Sequence, residues 1–332
     1  MSRKELIAAV VDRLSGYRRG EVAPIDAAHV DQWVRQFPDD THEVILSELN
    51  HVWEKLYFPE SWLAEFADTI VEKLPKEAKA TDDAAWWRDR DILLIQQGGN
   101  SQRAAYRQME AALTRRFGKA ALAMGLSTKS GGYVYIDEAM FSGQRVKVDL
   151  CKWISDEAPL EAHVDVVCVA MHAYGEWRAR KEIKAAIAKA GKRITLSWLR
   201  ALTLENRVAE RERSDVLWPT ALPDEDSIKA FATELTTCQY PWQPRPPGTD
   251  SANDLFSSEA ARHVLEQQFF LKGFQMRQRG TFAPVFKPLG YLGFPSPGFG
   301  TLCVTHRNCP NNAPLVLWAD GDWYPLVPRK NN

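Results

Sequence analysis

The sequence of 332 residues predicts an α/β protein whose parallel sheet follows an all-α N-terminal domain. Short apolar runs alternate with helical segments beyond residue 90, and glycines close several of them, which is typical of βαβ units and a parallel sheet. Charge divides the chain near the same place. Residues 1–74 carry 8 Lys and Arg against 14 Asp and Glu, whereas the remainder has a net charge of +5. We therefore predict a helical domain over 1–75, a connector over 76–90 and an α/β domain with an elaborated C-terminal part over 91–332.

Four helices are predicted in the first domain, where apolar residues recur at helical spacing. Ser2 with Glu5 fits a capping box, and Pro59 suits the first turn of the fourth helix. Such a domain could be a helix-turn-helix relative. Its excess of acids opposes contact with phosphates, so a structural or protein-contacting role is favoured over DNA reading. The apolar residues that predict the helices are Leu6, Val10, Val11 and Leu14; Val30, Trp33, Val34 and Phe37; Ile45, Leu49, Val52 and Trp53; and Trp62, Leu63, Phe66 and Ile70.

The α/β domain is predicted from apolar runs and helical segments in alternation. Strands are expected at 92–95, 133–136, 164–169 and 194–196, and helices at 101–117 and 176–190, the second closed by Gly191. In the last third, a Pro-rich loop around 241–247 precedes a helix around 255–270 and late strands at 302–304 and 315–317.

The segment most informative about chemistry runs from the strand at 133–136 into a predicted helix. Asp137 and Glu138 end the strand, and Ser142 and Gly143 stand where the helix begins. A helix N-terminus and a hydroxyl suit a phosphate group, and glycine lets the backbone approach it closely. The acids can accept hydrogen bonds from ribose hydroxyls or face a Mg²⁺-bound diphosphate, because open α/β sheets bind ligands at this end of their strands. The layout predicts a sugar-phosphate site; a helix cap beside a solvated strand end is the alternative.

Residues 133–143 resemble the phosphoribosyl-diphosphate loop of the phosphoribosyltransferase family, in which an apolar strand, two acids and three variable residues precede Ser or Thr and then Gly. The resemblance implies a type I phosphoribosyltransferase-like fold, with helices on both faces of the sheet. It implies that Asp137 and Glu138 are catalytic, and that Mg²⁺ comes with a diphosphate ligand rather than binding the protein directly. Many members continue with Gly-Thr where this chain has Gln144 and Arg145, so Arg145 would supply charge in place of a hydroxyl.

A second loop, Gly98-Gly99-Asn100-Ser101, follows the first predicted strand. It sits where the phosphoribosyltransferase family keeps its diphosphate loop. Paired glycines suit close approach of an anion, and Asn100 with Ser101 can cap the next helix. An ordinary strand-to-helix turn is the alternative interpretation.

A longer resemblance, from about residue 25 to 329, is to a narrower group of phosphoribosyltransferase-like conflict effectors. These proteins occur beside bacterial anti-phage genes, some of them with retron reverse transcriptases. The motif Trp-x-x-Gln-Phe at 33–37 and the stretches at 305–318 and 323–329 carry the resemblance. It implies a winged-helix-related N-terminal domain and a role in antiviral defence, with a defence-system protein as a partner through the acidic domain.

Four polar residues near the C-terminus, His306, Asn308, Asn311 and Asn312, form a candidate wall for a base or a partner. The alternative is a turn around Pro310 in which the asparagines satisfy the backbone.

Other features bear on the compartment and on nucleic acid. Five scattered cysteines without a C-x-x-C pair, no apolar run of membrane-spanning length and a charged N-terminus together predict a cytoplasmic protein that does not enter the membrane. Residues 178–213 hold 11 Lys and Arg against 4 Asp and Glu, so nucleic-acid binding is a second expectation, with Trp177 and Trp198 able to stack on bases. A solvated helix face is the alternative.

The leading hypothesis is an effector enzyme that binds a phosphorylated ribose compound, either phosphoribosyl diphosphate or a nucleotide, and breaks or transfers a bond at the anomeric carbon. The alternative is a regulatory module without catalysis, which senses a nucleotide or binds nucleic acid within a defence complex.

Overall fold

The computed structural model describes residues 1–96, 101–118, 132–239 and 241–330, and they divide into two compact units. The terminal unit combines Met1–Glu60 with Glu205–Asn331, and the sheet unit is Ser61–Leu204. These units follow packing, and their limits differ from the boundaries at 75 and 91 that charge and periodicity predict; those domain boundaries stay a prediction.

The N-terminal part of the terminal unit is helical, as predicted. The capping box is present, since the Ser2 side chain accepts from the Glu5 N–H and the Glu5 side chain accepts from the Ser2 N–H. Trp33 and Trp53 are fully buried at the centre of their helical faces. The elements are α1 Arg3–Leu14, α2 Ala27–Val34, α3 His42–Leu56 and the two-residue strand β1 Tyr57–Phe58. The winged-helix relation of this part stays a prediction.

The sheet unit contains a four-stranded sheet, all parallel, in the order in which its strands occur along the chain. Its elements are α4 Glu60–Glu77, α5 Asp83–Arg88, β2 Arg90–Leu93, α6 Ser101–Phe117, β3 Gly132–Met140, α7 Gln144–Asp156, β4 Glu161–His172, α8 Ala173–Ala190 and β5 Arg193–Leu204. Three of the four predicted strands and both predicted helices are confirmed. The first strand is present but lies at 90–93 and not at 92–95. The predicted connector contains a helix, α5.

Helices cover both faces of this sheet. One core cluster packs α7 and α8 against the face that carries Tyr135 and Val166, and a second packs α4, α5 and α6 against the face that carries Val134 and Val167. The helices that follow the neighbouring strands β2 and β3 therefore lie on opposite faces. The carboxyl ends of two such strands are where open α/β sheets bind ligands.

The C-terminal part of the terminal unit adds α9 Asp226–Thr237, α10 Glu259–Arg279, the strand pair β6 Phe286–Lys287 and β7 Gly290–Tyr291, β8 Val304–Thr305 and α11 Leu315–Trp318. β8 pairs with β1 in parallel. The strand predicted at 315–317 is wrong, because this buried segment forms the single helical turn α11. Four consecutive apolar residues have no periodicity that separates a strand from a buried helical turn.

Across the described ranges, no helix combines the length and the apolar character that a membrane span needs.

Candidate functional site

The acid pair lies within the last four residues of β3, which is between β2 and β4 in the sheet. The strand continues to Met140, so Asp137 and Glu138 do not end it as the sequence predicts. The side chains of Asp137 and Glu138 are 4% and 7% exposed. Because strand residues alternate between faces, Asp137 shares the face of Tyr135, which α7 covers, and Glu138 shares the face of Ile136. One carboxyl therefore lies on each face of the sheet, near the carboxyl end of the strand.

Asp137 connects the two predicted loops. Its Oδ1 accepts a hydrogen bond from the Glu138 N–H at 2.8 Å, and its carboxyl is also hydrogen-bonded by the side chain of Ser101, the first residue of α6. Burial raises the pKa of Asp137 from 3.8 to about 6; the bond from Ser101 opposes the rise and the charge of Glu138 adds to it. The pKa of this carboxyl thus lies close to neutral pH, in a range where a bound ligand can change its charge.

The loop after β3 begins α7, as predicted. Gly143 is the N-cap residue with φ +70°, a left-handed conformation, and α7 runs for 13 residues from Gln144. A Cβ at Gly143 would lie 2.1 Å from the Gly175 carbonyl oxygen, so a side chain has no room there. The Ser142 Oγ accepts from the Gln144 N–H at 3.4 Å, and Gln144 and Arg145 are exposed. A hydroxyl and the first N–H groups of a helix, which have no intrahelical acceptors, therefore lie together beside the acids.

Sequence reasoning missed Gly175, which lies in the first turn of α8. A Cβ at this position would lie 2.0 Å from the Phe141 carbonyl oxygen, so the loop before α7 rests directly on the start of α8. His172, the N-cap residue of α8, is fully buried, and burial lowers its pKa to about 3. Glycine is a poor residue inside a helix, and that was the available signal.

A buried polar network beneath the loops was also missed. The Asp149 Oδ2 on α7 accepts from the Tyr135 hydroxyl at 2.8 Å and from the Gln96 Nε2 at 2.7 Å, while the Gln96 N–H donates to the Gln102 Oε1 at 2.8 Å. The network joins Gln96, which follows β2, to the first turn of α6 and to α7, and it joins α7 to β3. Its signal is a polar residue within the apolar stripe of α7, between Val146 and Leu150.

Of the predicted second loop, Gly98, Gly99 and Asn100 lie outside the described residues. Ser101 is described, and it begins α6 and contacts Asp137. The described residues of the two predicted loops all belong to the sheet unit. They are Ser101, Asp137, Glu138, Ser142, Gly143, Gln144 and Arg145.

The predicted C-terminal wall belongs to the terminal unit. The Asn308 amide donates to the Lys330 carbonyl at 3.0 Å and accepts from the Lys330 N–H at 2.9 Å. The Asn312 Nδ2 donates to the Tyr291 carbonyl at 3.0 Å, and the Tyr291 N–H donates to the carbonyl of Asn311. The His306 N–H donates to the carbonyl of Phe58. These asparagines and His306 thus support the backbone of their own unit, and their role toward a base or a partner stays a prediction.

One of three comparisons with known proteins identifies a family. A family model described as PRTase-CE matches residues 30–329 of this chain. Neither the search of curated proteins nor that of solved structures found a match.

Proposed function

The chain belongs to the PRTase-CE family, which is phosphoribosyltransferase-like, and we propose from this premise that it binds a phosphorylated ribose at the start of α7 and breaks or transfers a bond at the anomeric carbon. One observation supports the site more than any other. The two buried acids, the Ser142 hydroxyl and the start of α6 are gathered at one sheet edge, with Ser101 bonded to Asp137.

In this proposal, the N-terminus of α7 holds the 5′-phosphate. The N–H groups of Gly143, Gln144 and Arg145 lack intrahelical acceptors by position, and the helix dipole adds partial positive charge. Ser142 donates its hydroxyl to a phosphate oxygen, and the guanidinium of exposed Arg145 adds a full charge. The absence of threonine after Gly143 is thereby offset by a cation.

The acids act on the sugar. Asp137 and Glu138 accept hydrogen bonds from ribose hydroxyls and stabilise positive charge that develops on the ring as the bond from C1 to the leaving oxygen breaks. The leaving group departs with the electron pair of that bond, and an acceptor then forms the new bond to C1.

Two carboxylates suit a magnesium ion that comes with its ligand, because Mg²⁺ is usually bound by one or two carboxylates together with substrate phosphates. Among the described residues, no group of three or more His, Cys, Asp or Glu side chains is placed to hold a metal ion. When bound with the ligand, Mg²⁺ supplies positive charge to a diphosphate, with Asp137 and Glu138 as the carboxylates that can face it.

Calorimetry with phosphoribosyl diphosphate and Mg²⁺ tests the proposal. We expect micromolar binding by the unaltered chain, and weaker binding by at least about tenfold in Ser142→Ala, because a hydrogen bond to a charged phosphate is lost. Ser155→Ala is the matched control, since Ser155 is exposed near the opposite end of the same helix. No heat with this ligand or with common nucleotides would overturn the proposal.

The double variant Asp137→Ala, Glu138→Ala separates an enzyme from a sensor. An enzyme loses turnover while phosphate-anchored binding persists. The second candidate function is a sensing module without catalysis, which is favoured because Gln144 and Arg145 stand where many family members have Gly-Thr. Such a module shows no turnover in the unaltered chain.

We also propose a cytoplasmic effector role in bacterial anti-phage defence, for which the resemblance from about residue 25 to 329 is the support. Some proteins of the group that the chain resembles are retron-associated. In this proposal the acidic, winged-helix-related N-terminal part contacts a protein of the same system. Plating of phages on cells that carry the chain with its neighbouring genes tests it. Protection that Ser142→Ala removes and Ser155→Ala retains is the expected result, and protection that survives Ser142→Ala would contradict it.

A further inference from the structure

One exposed face of α8 combines aromatic rings with ammonium groups. Tyr174, Trp177, Lys181 and Lys184, here called the α8 stripe, are spaced by three, four and three residues and so share one side of the helix. Trp177 is 52% exposed, which is unusual for so large an apolar side chain. Its ring stacks on that of Tyr174 at a centroid distance of 5.8 Å, and the Lys181 Nζ lies 5.6 Å from the Trp177 ring centroid.

The other aromatic and basic residues nearby have structural contacts. Glu176 forms ion pairs with Arg180 at 2.6 Å and with Arg200 at 2.7 Å, so both guanidinium groups are engaged with the same carboxylate. The Arg180 guanidinium lies over the Trp198 ring, and Trp198 packs against the core of the sheet unit. Of the two tryptophans that the sequence predicts as stacking groups, Trp177 is therefore the one presented to solvent.

The α8 stripe begins beside the loop that precedes α7. Gly175, between Tyr174 and Trp177 in the chain, is the residue whose backbone meets Gly143, and the Arg178 Nη2 donates to the Gln144 Oε1 at 3.3 Å. From position 174 to 184 the stripe covers about 15 Å of helix, at 1.5 Å per residue. A single nucleotide needs one ring and one phosphate contact, whereas this stripe places two rings first and two ammonium groups farther along.

We propose that the α8 stripe binds single-stranded nucleic acid. Unpaired bases stack on Trp177 and Tyr174, and the phosphates that follow contact Lys181 and Lys184. Stacking platforms flanked by cations are the physical basis of such binding, and a base within a duplex cannot offer its face to an exposed ring. This inference stands apart from the sugar-phosphate proposal, because the two use different residues and either can fail alone.

Fluorescence anisotropy of labelled strands of about 12 nucleotides tests it with the full chain. The probes are oligothymidylate, oligouridylate and a duplex of mixed sequence, each over a salt series. We expect both single strands to bind more tightly than the duplex; a preference between them would identify DNA or RNA as the source. Trp177→Ala should weaken binding about 5-fold to 100-fold, and Trp177→Phe should restore most of it, since a ring remains.

Charge is tested by Lys181→Gln with Lys184→Gln. The slope of log affinity against log salt should fall by about 1.4, at about 0.7 for each phosphate contact on a single strand. Phe294→Ala and Lys229→Gln are matched controls, because Phe294 is 45% exposed and Lys229 is an exposed lysine, both far from α8 in the chain. Ser142→Ala should leave binding unchanged. No binding at low salt, or binding that Trp177→Ala does not weaken, would overturn the proposal and leave the stripe to a protein partner.

Discussion

At neutral pH the ionised carboxylate of Asp137 is unfavourable in its buried surroundings and so lowers the stability of the fold. Its pKa rises from 3.8 to about 6, chiefly through burial. Between these two values the folded chain holds a proton that the unfolded chain has released. The contribution of this group to the free energy of unfolding therefore falls as pH rises from about 4 to 6. Such a cost, accepted in a buried strand, is typical of a functional group.

Asp137→Asn should therefore raise stability at pH 8 by about 1–3 kcal/mol, from a shift of roughly two units, and the gain should vanish toward pH 4. Urea unfolding at several pH values measures it. The matched control is Asp156→Asn at the end of α7, where hydrogen bonding from Lys152 lowers the pKa of an exposed carboxyl. That substitution should change stability at neutral pH in the opposite direction, or not at all. A loss of stability in Asp137→Asn at pH 8 would contradict the argument.

Gly143 tests whether the loop needs the close approach to α8. Gly143→Ala combines φ +70° with a Cβ 2.1 Å from the Gly175 oxygen, so it should cost more than about 2 kcal/mol and abolish ligand binding. Gly191→Ala is the control, because Gly191 has φ +65° but nothing within 4 Å of a Cβ, and should cost only about 1–2 kcal/mol. Thermal unfolding of both variants gives the comparison; equal losses would show that the contact with Gly175 does not matter.

At the scale of elements, the Asp149 network fixes α7 and the start of α6 to the sheet. Tyr135→Phe removes one donor to Asp149 from a buried site and should cost about 1–3 kcal/mol. Because the same carboxyl holds Gln96, we also expect weaker binding of the sugar phosphate through misplaced loops. Tyr133→Phe, one pleat earlier and partly exposed against Trp153, should change stability by less than about 0.5 kcal/mol. Denaturant midpoints and ligand affinities check both effects, and equal costs for the two variants would contradict this role.

The elements that sequence predicts well are those whose signals are local. The sequence predicts α6 over 101–117, and the structure has Ser101–Phe117. Gly191 ends α8 as predicted, and the structure gives it a left-handed conformation. The single turn α11 could not be separated from a strand, because its four apolar residues are all buried.

Prediction of the site from the sequence is likewise limited to residues whose signals are local. Asp137, Glu138, Ser142 and Gly143 follow one another in the chain, so a local motif finds them. The contacts that give Gly175 and Gln96 their roles are with residues 32 and 53 positions away in the chain, respectively. No periodicity reports such contacts, and only the folded backbone brings them together.

At the scale of the whole molecule, the terminal unit is assembled from both ends of the chain. The Trp33 indole donates to the Val316 carbonyl at 2.8 Å, the Trp53 indole to the Leu302 carbonyl at 3.0 Å, and the Tyr17 hydroxyl to the Pro328 carbonyl at 2.9 Å. The parallel pairing of β1 with β8 likewise joins the N-terminal segment of this unit to its C-terminal segment. Charge and periodicity could not predict this unit, because they describe neighbours in sequence.

Fragments of the chain should therefore fold unequally. Residues 61–204 contain both core clusters of the sheet unit and should unfold cooperatively in urea when produced alone. Residues 205–331 alone lack the indoles of Trp33 and Trp53 and the strand β1, which leaves buried carbonyls without donors, so this fragment should not fold. Mixing it with residues 1–60 should restore a cooperative transition and near-ultraviolet circular dichroism. Trp33→Phe in the 1–60 fragment should weaken that recovery, since the ring is kept while the donor to Val316 is lost. A folded 205–331 fragment, or recovery that does not depend on residues 1–60, would show that the two chain segments are independent domains after all.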